Sequence, residues 1–166
     1  MAKPDLDDVD RKILVHLREE GRASHAEIAE RVRRSAPAVG ERIKKLMQRG
    51  VIHGFHADVD PDAVGLSVAA FVALAPTPGS DVRDLVTRLK RLPEVQELHS
   101  VAGTYSYLAK VRTTSPTALD AFLDDLMMMD GVERTETTMV LRTNLERPAV
   151  LPFDPAPAAT DAEDGT

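Results

Sequence analysis

Between Arg31 and Arg49 the chain carries seven basic side chains (Arg31, Arg33, Arg34, Arg42, Lys44, Lys45 and Arg49) against one acid, Glu41. That stretch has a net charge of +6 inside a chain whose total is −6. The distribution of charge, rather than its sum, decides whether a protein can meet a polyanion. Ser35 precedes Ala36-Pro37-Ala38, and a hydroxyl beside the free amides of a helix start suits a phosphate. Other chemistry is sparse. The absence of cysteine excludes a disulfide framework, a thiolate zinc site and a thiol nucleophile, and it fits a reducing cytosol. Of the five histidines only His53 and His56 are close; on an extended segment that spacing turns them to opposite faces. There is no Ser/His/Asp arrangement, no Gly-rich phosphate loop and no His-Glu-x-x-His pattern. Neither an enzyme nor a resident metal or cofactor is expected. No apolar run approaches a membrane span, and the first ten residues are polar and acidic, so a cytoplasmic protein with no membrane partner is expected.

The basic residues need a scaffold. Asp7 reads as the N-cap of a first helix with Asp8 and Asp10 in its opening turn, where carboxylates complement free amides and the helix dipole. Val9, Ile13, Leu14 and Leu17 fall on one stripe, and Gly21 is the expected left-handed cap. Ser24-His25-Ala26-Glu27 is a capping box opening a second helix that buries Ile28, Ala29 and Val32. Ser35 caps a third helix with Pro37 in its first turn and Val39, Ile43, Leu46 and Met47 as its buried stripe. That stripe turns Pro37, Ala38, Glu41, Lys44, Lys45 and Gln48 outward, with Arg42 and Arg49 on the flanks. Val51–Val59 then reads as a strand, broken by Asp60-Pro61-Asp62 and again at Gly65.

Three short helices and a strand outline a winged helix-turn-helix, whose second paired helix enters the major groove. The expected DNA-contacting residues are Arg33, Arg34, Ser35, Ala36, Pro37, Ala38, Glu41, Arg42, Lys44, Lys45 and Arg49. Ala36, Pro37, Ala38 and Gly40 bring few hydrogen-bonding groups. Alanine can touch a thymine methyl and Arg42 can reach guanine or phosphate, so shallow base selectivity is expected.

The second half alternates differently. Leu66–Ala75 reads as a strand, Asp81–Leu92 as an amphipathic helix through Val82, Leu85, Val86 and Leu89, and Val95–Val101 and Tyr105–Thr113 as strands joined across Ala102-Gly103-Thr104. A helix from Ser115 or Pro116 buries Leu119, Phe122, Leu123 and Leu126 and ends near Gly131. A last strand, Val132–Leu145, follows with Met139, Leu141 and Leu145 on one face. The order βαββαβ is a ferredoxin-like unit, and the fold class is α+β. Met127-Met128-Met129 reads as core or interface filler. Pro148–Thr166, rich in Pro and Ala with four acids and no base, has too little apolar periodicity for a core and reads as largely disordered. The expected organisation is a DNA-binding head over 1–52, a strand-containing linker over 53–65, the ferredoxin-like domain over 66–147 and an acidic tail over 148–166.

Leu6-Asp7-Asp8-Val9-Asp10-Arg11-Lys12-Ile13-Leu14 resembles the opening of the Lrp/AsnC, or feast/famine, transcriptional regulators. The likeness runs through Gly21-Arg22-Ala23-Ser24, Glu27-Ile28-Ala29, Ser35–Ile52, Gly54-Phe55, Asp60-Pro61 and Val101–Tyr107, covering about Leu6–Arg147. The resemblance implies double-stranded DNA as a partner and a C-terminal effector-binding and oligomerisation domain of the RAM or ACT-like kind. It also implies homodimers that assemble further, up to octamers, and an amino acid or related metabolite as effector. It places the effector site at an inter-protomer interface around Val101, Ala102, Gly103, Thr104, Tyr105 and Ser106, with Thr135, Thr137 and Thr138 from the last strand. Read from residues alone, Ala102-Gly103-Thr104 is a hairpin turn and the threonines are strand residues. Two departures stand out: Ser106 replaces the usual Asp, and Arg33-Arg34 replaces the usual Gly-Leu before the serine. The second implies tighter, more salt-sensitive and less selective DNA binding. An architectural DNA-binding protein without an effector stays open as the alternative, given the neutral Ser106.

Overall fold

The computed structural model describes residues 5–146 and 151–153. They form two compact units, one containing the chain up to Ala57 together with the C-terminal segment from Glu146, the other Asp58–Leu145. In the first, α1 (Asp8–Glu19), α2 (His25–Val32) and α3 (Ala36–Gln48) each start at an anticipated cap. Asp7 accepts from the Asp10 amide at 2.8 Å. The capping box is complete: the Ser24 amide donates to Glu27 at 2.6 Å and the Glu27 amide to the Ser24 hydroxyl at 3.2 Å. Ser35 accepts from the Ala38 amide at 3.4 Å. Ile13, Leu14, Ile28, Ala29, Val32, Val39, Ile43 and Leu46 make one core. Burying such side chains at roughly 1.5–3 kcal/mol each is what holds three short helices that would be marginal alone.

Several expectations change. The C-cap of α1 is Glu20, and Gly21 is not left-handed. Met47 is exposed rather than part of the α3 stripe, because Ile43 and Leu46 already fill the space toward α1 and α2. Val51–Val59 pairs with no strand among the described residues; a strand needs a ladder partner, and Phe55 and Val59 stay about half exposed. The tail falls mostly outside the described residues, but Leu151 and Phe153 pack against the helical core, Phe153 beneath the Arg11 guanidinium at 5.9 Å. A segment too poor in apolar residues for its own core can borrow a neighbouring one.

The second unit contains β1 (Val68–Pro76), α4 (Val82–Leu89), β2 (Val95–Ser100), β3 (Tyr107–Thr113), α5 (Pro116–Met127) and β4 (Val132–Met139). The antiparallel sheet runs β2-β3-β1-β4, the order that the βαββαβ reading requires. Ala70, Val72 and Leu74 of β1 and Ala109 and Val111 of β3 face Leu85, Leu89, Leu119, Phe122 and Leu126 of the two helices. The intervening residues, Phe71, Ala73, Leu108 and Lys110, lie on the opposite sheet face. β4 stops at Met139, short of the expected Leu145, and Leu141 and Leu145 are exposed. Val82 is likewise exposed in α4. In the methionine run Met129 packs on the core, whereas Met128 is 86% exposed. Leu74 is fully buried on the interior strand β1, and Leu74→Ala should cost about 2–5 kcal/mol in urea denaturation.

Candidate nucleic-acid interface and effector site

The basic residues of α3 and its flanks divide into two groups. Arg42 is turned toward α1. One of its guanidinium nitrogens donates to both Asp7 and Asp10, each at 2.7 Å. Asp10 is buried and Arg42 partly so, whereas Asp7 is half exposed. The Asp10 amide, and then Arg42, hold the Asp7 carboxyl below the usual 3.8, while Asp10 and Asp7 raise the Arg42 pKa. Arg49 donates to the Asp5 carbonyl. These two arginines, expected on the DNA face, are engaged by the N-terminal segment. Together they flank a cavity of about 490 Å³ lined also by Ala38, Glu41 and Lys45.

The second group comprises Arg33, Arg34, Lys44 and Lys45, all exposed, with Pro37 and Glu41 beside them. Ser35 uses its oxygen lone pair on Ala38, which leaves its O–H as a donor for a phosphate. Ala36 and Ala38 are half-buried. Gly40 belongs to the packing instead: a Cβ there would stand 3.1 Å from Nδ1 of His25, so glycine sets how closely α2 approaches α3.

The turn between α2 and α3 has a feature that the sequence pattern hid. Arg33 is the C-cap of α2 and sits at φ 52°, ψ 54°. It is the one non-glycine residue at positive φ among those described. A side chain there costs on the order of 1–2 kcal/mol, which explains why glycine suits this site and what retaining an arginine entails. Arg34 turns back to donate to the Arg33 carbonyl at 3.0 Å.

In the second unit, the loop between β2 and β3 is closed by Val101 N–H to Ser106 carbonyl at 2.9 Å, and Ser106 N–H is bonded to the Leu74 carbonyl at 3.0 Å. Val101, Ala102, Gly103, Thr104 and Ser106 are exposed. Gly103 has φ 157° and open space where a Cβ would stand, leaving its backbone approachable. The three threonines divide between the two faces of the sheet. Thr135 and Thr137 lie opposite Leu74 and Val72 and share their helix-facing side, and Thr135 donates to the Met127 sulfur at 3.3 Å. Thr138 lies opposite Phe71 on the other face.

Two residues that the sequence reading passed over stand on that other face, Arg134 opposite Ala75 and Glu136 opposite Ala73. The Tyr105 hydroxyl donates to Glu136 at 2.9 Å, and the Arg134 guanidinium lies 4.9 Å from the Tyr105 ring centroid. The bond to Glu136 raises the Tyr105 pKa above 10.0. The period of two that runs through Arg134, Glu136 and Thr138 was the available signal.

Known proteins match the chain along most of its length. A winged helix-turn-helix DNA-binding model covers residues 6–53 and an Lrp/AsnC ligand binding domain model residues 69–150. HTH-type transcriptional regulator LrpA of Mycobacterium tuberculosis is 40% identical over 138 residues, 83% of this chain and 91% of that protein. A feast or famine regulatory protein from M. tuberculosis, solved in complex with L-methionine, superposes with TM-score 0.84 at 38% identity, covering 89% of this chain and all of that one. A Neisseria meningitidis transcriptional regulator, also solved with L-methionine, gives TM-score 0.83 at 28% identity over 89% of this chain and 97% of its own.

Two stability predictions follow from the helical unit. Arg33→Gly should raise stability by about 0.5–1 kcal/mol, the relieved strain exceeding glycine's extra unfolded-state entropy, as read by thermal unfolding. Asp7→Asn should keep a cap but lose the charge facing Arg42. Because the folded Asp7 pKa is depressed, its stabilisation is complete above about pH 4 and is lost as pH falls through the lowered value. The variant should therefore be less stable near neutrality and show a shallower acid limb below about pH 4 in urea titrations.

Proposed function

The chain belongs to the Lrp/AsnC family of DNA-binding transcriptional regulators, and on that footing we propose how its own residues divide the work. Helix α3 is the reading helix, and Arg33, Arg34, Ser35, Lys44 and Lys45 carry the phosphate contacts. The exposure of these four bases around a capped helix start is the observation that carries this reading. Ala36, Pro37 and Ala38 approach the bases with apolar atoms, and Glu41 borders them. Arg42 and Arg49 hold the N-terminal segment against α3 and contribute indirectly. Base selectivity is shallow, and the spacing of several heads along the duplex supplies the rest.

The loop Val101–Ser106, with β4 beside it, takes an amino acid effector. The L-methionine complexes of the two related regulators support that ligand class, and the exposed amides and hydroxyls of the loop suit a carboxylate. The protein works as a homodimer or higher assembly in the cytoplasm. The unpaired Val51–Val59 segment and the exposed Phe71 on the sheet's open face support self-association. No helix among the described residues is long and apolar enough to cross a membrane.

Footprinting at the protein's own promoter, paired with light scattering in the presence and absence of amino acids, tests the reading as a whole. A footprint and assembly state both indifferent to every amino acid would favour the architectural alternative. A salt titration of DNA affinity separates the basic residues. Arg33→Ala and Arg34→Ala should each lower the log–log slope by about 1, whereas Arg42→Gln should leave the slope unchanged. The same Arg42→Gln should cost roughly 1–3 kcal/mol of stability, between an exposed and a fully buried pair, because Asp10 is left buried without its cation.

A further inference from the structure

An amino acid carries two opposite charges, and the loop Val101–Ser106 offers none, its side chains being Val, Ala, Gly, Thr, Tyr and Ser. Two charges reach it from β4 through Tyr105. Glu136 accepts the Tyr105 hydroxyl proton at 2.9 Å, and Arg134 stacks over the Tyr105 ring at 4.9 Å. Arg134 and Glu136 are two residues apart on one strand and share a sheet face, so their Cα atoms stand about 6.7 Å apart. Flexible side chains at that spacing can close on the ammonium and carboxylate of one small molecule. The charged residues on the other side of the face are occupied with one another: Glu97 meets His99 at 3.0 Å and Lys110 at 3.5 Å.

We propose that Arg134, Tyr105 and Glu136 form a zwitterion-recognition triad in which Glu136 takes the ammonium and Arg134 the carboxylate of a free α-amino acid. The proposal rests on the effector reading above and names the groups that would select the ligand. Tyr105 engages one carboxylate oxygen of Glu136, and a carboxylate has further lone pairs for a second donor. The guanidinium carbon of Arg134 stands over the tyrosine ring at 4.9 Å, and a guanidinium carries the forked N–H donors that pair with a carboxylate. Tyr105 thus contacts both charges at once, the base through its ring and the acid through its hydroxyl. With the order Arg134–Glu136 fixed along the strand, the ligand is oriented as well as bound.

Isothermal titration calorimetry on the full chain with L-methionine as the probe tests this, beside 3-(methylthio)propylamine, which lacks the carboxylate, and 4-(methylthio)butyrate, which lacks the ammonium. Glu136→Gln and Arg134→Gln should each weaken L-methionine roughly tenfold or more, the loss expected for one charge-assisted pair. Both single-charge analogues should bind the wild type more weakly than L-methionine. Tyr105→Phe keeps the stacking ring but loses the bond that positions Glu136, so it should weaken L-methionine, though less than either charge substitution does. Unchanged thermal unfolding and unchanged light scattering confirm that folding and assembly are intact in all three variants. Glu136→Gln within twofold of the wild type would overturn the triad while leaving the effector reading standing. A wild type that binds neither L-methionine nor any other of the twenty amino acids would overturn the effector reading, and the triad with it.

Discussion

The guanidinium of Arg42, shared between Asp7 and Asp10, is the interaction on which the helical unit's geometry turns. Asp7 is already committed to the first amide turn of α1, and Asp10 lies one turn further in, largely withdrawn from water. A buried carboxylate demands a cation, and α3 supplies it from the middle of its length. The pair therefore sets the rotation of α3 about its own axis relative to α1. Once that rotation is set, Val39, Ile43 and Leu46 point into the core, and Lys44 and Lys45 must point out. Apolar packing alone would hold the helices together, but it is tolerant of small rotations. A charge-assisted bond at 2.7 Å is not.

The same economy of charge appears in the turn before α3. Arg33 occupies a left-handed position that glycine would fill without strain. The cost is small beside the stability of a domain, and in return the turn presents a cation next to the Ser35 cap. Arg34 extends this by folding back on the backbone rather than reaching into the core. The net negative charge of the whole chain is thus compatible with one positive surface, and Asp7 and Asp10 are engaged in capping and with Arg42.

In the sheet unit the corresponding constraint is the strict alternation of the strands. It sends Thr135 and Thr137 toward the helices and Arg134, Glu136 and Thr138 toward the open face. A loop with no charge of its own is in this way bordered by one acid and one base, held by a tyrosine from the loop itself. Affinity for a small charged ligand at an exposed site depends on such preorganisation, since water screens any charge that is free to wander.

Much of this was legible in the residues. The caps at Asp7, Ser24 and Ser35, the apolar stripes of the helices and the βαββαβ order follow from short-range chemistry, and each reappears in space. The basic cluster was legible as well, and family resemblance points to the loop Val101–Ser106 as the proposed effector site. Three things only the tertiary structure decided. Arg42 and Arg49 look like their neighbours in sequence, yet contacts with residues more than thirty positions away tie them to the N-terminal segment. Arg33 looks like any surface arginine until backbone dihedrals place it at a left-handed cap. Glu136 and Arg134 become a pair around Tyr105 only when β4 lies against β1. The Val51–Val59 segment shows the same division from the other side: its residues favour a strand, but a strand exists only where another backbone offers its hydrogen bonds. Local chemistry is written in neighbouring residues, whereas the use of a charge depends on which distant group the fold brings to it.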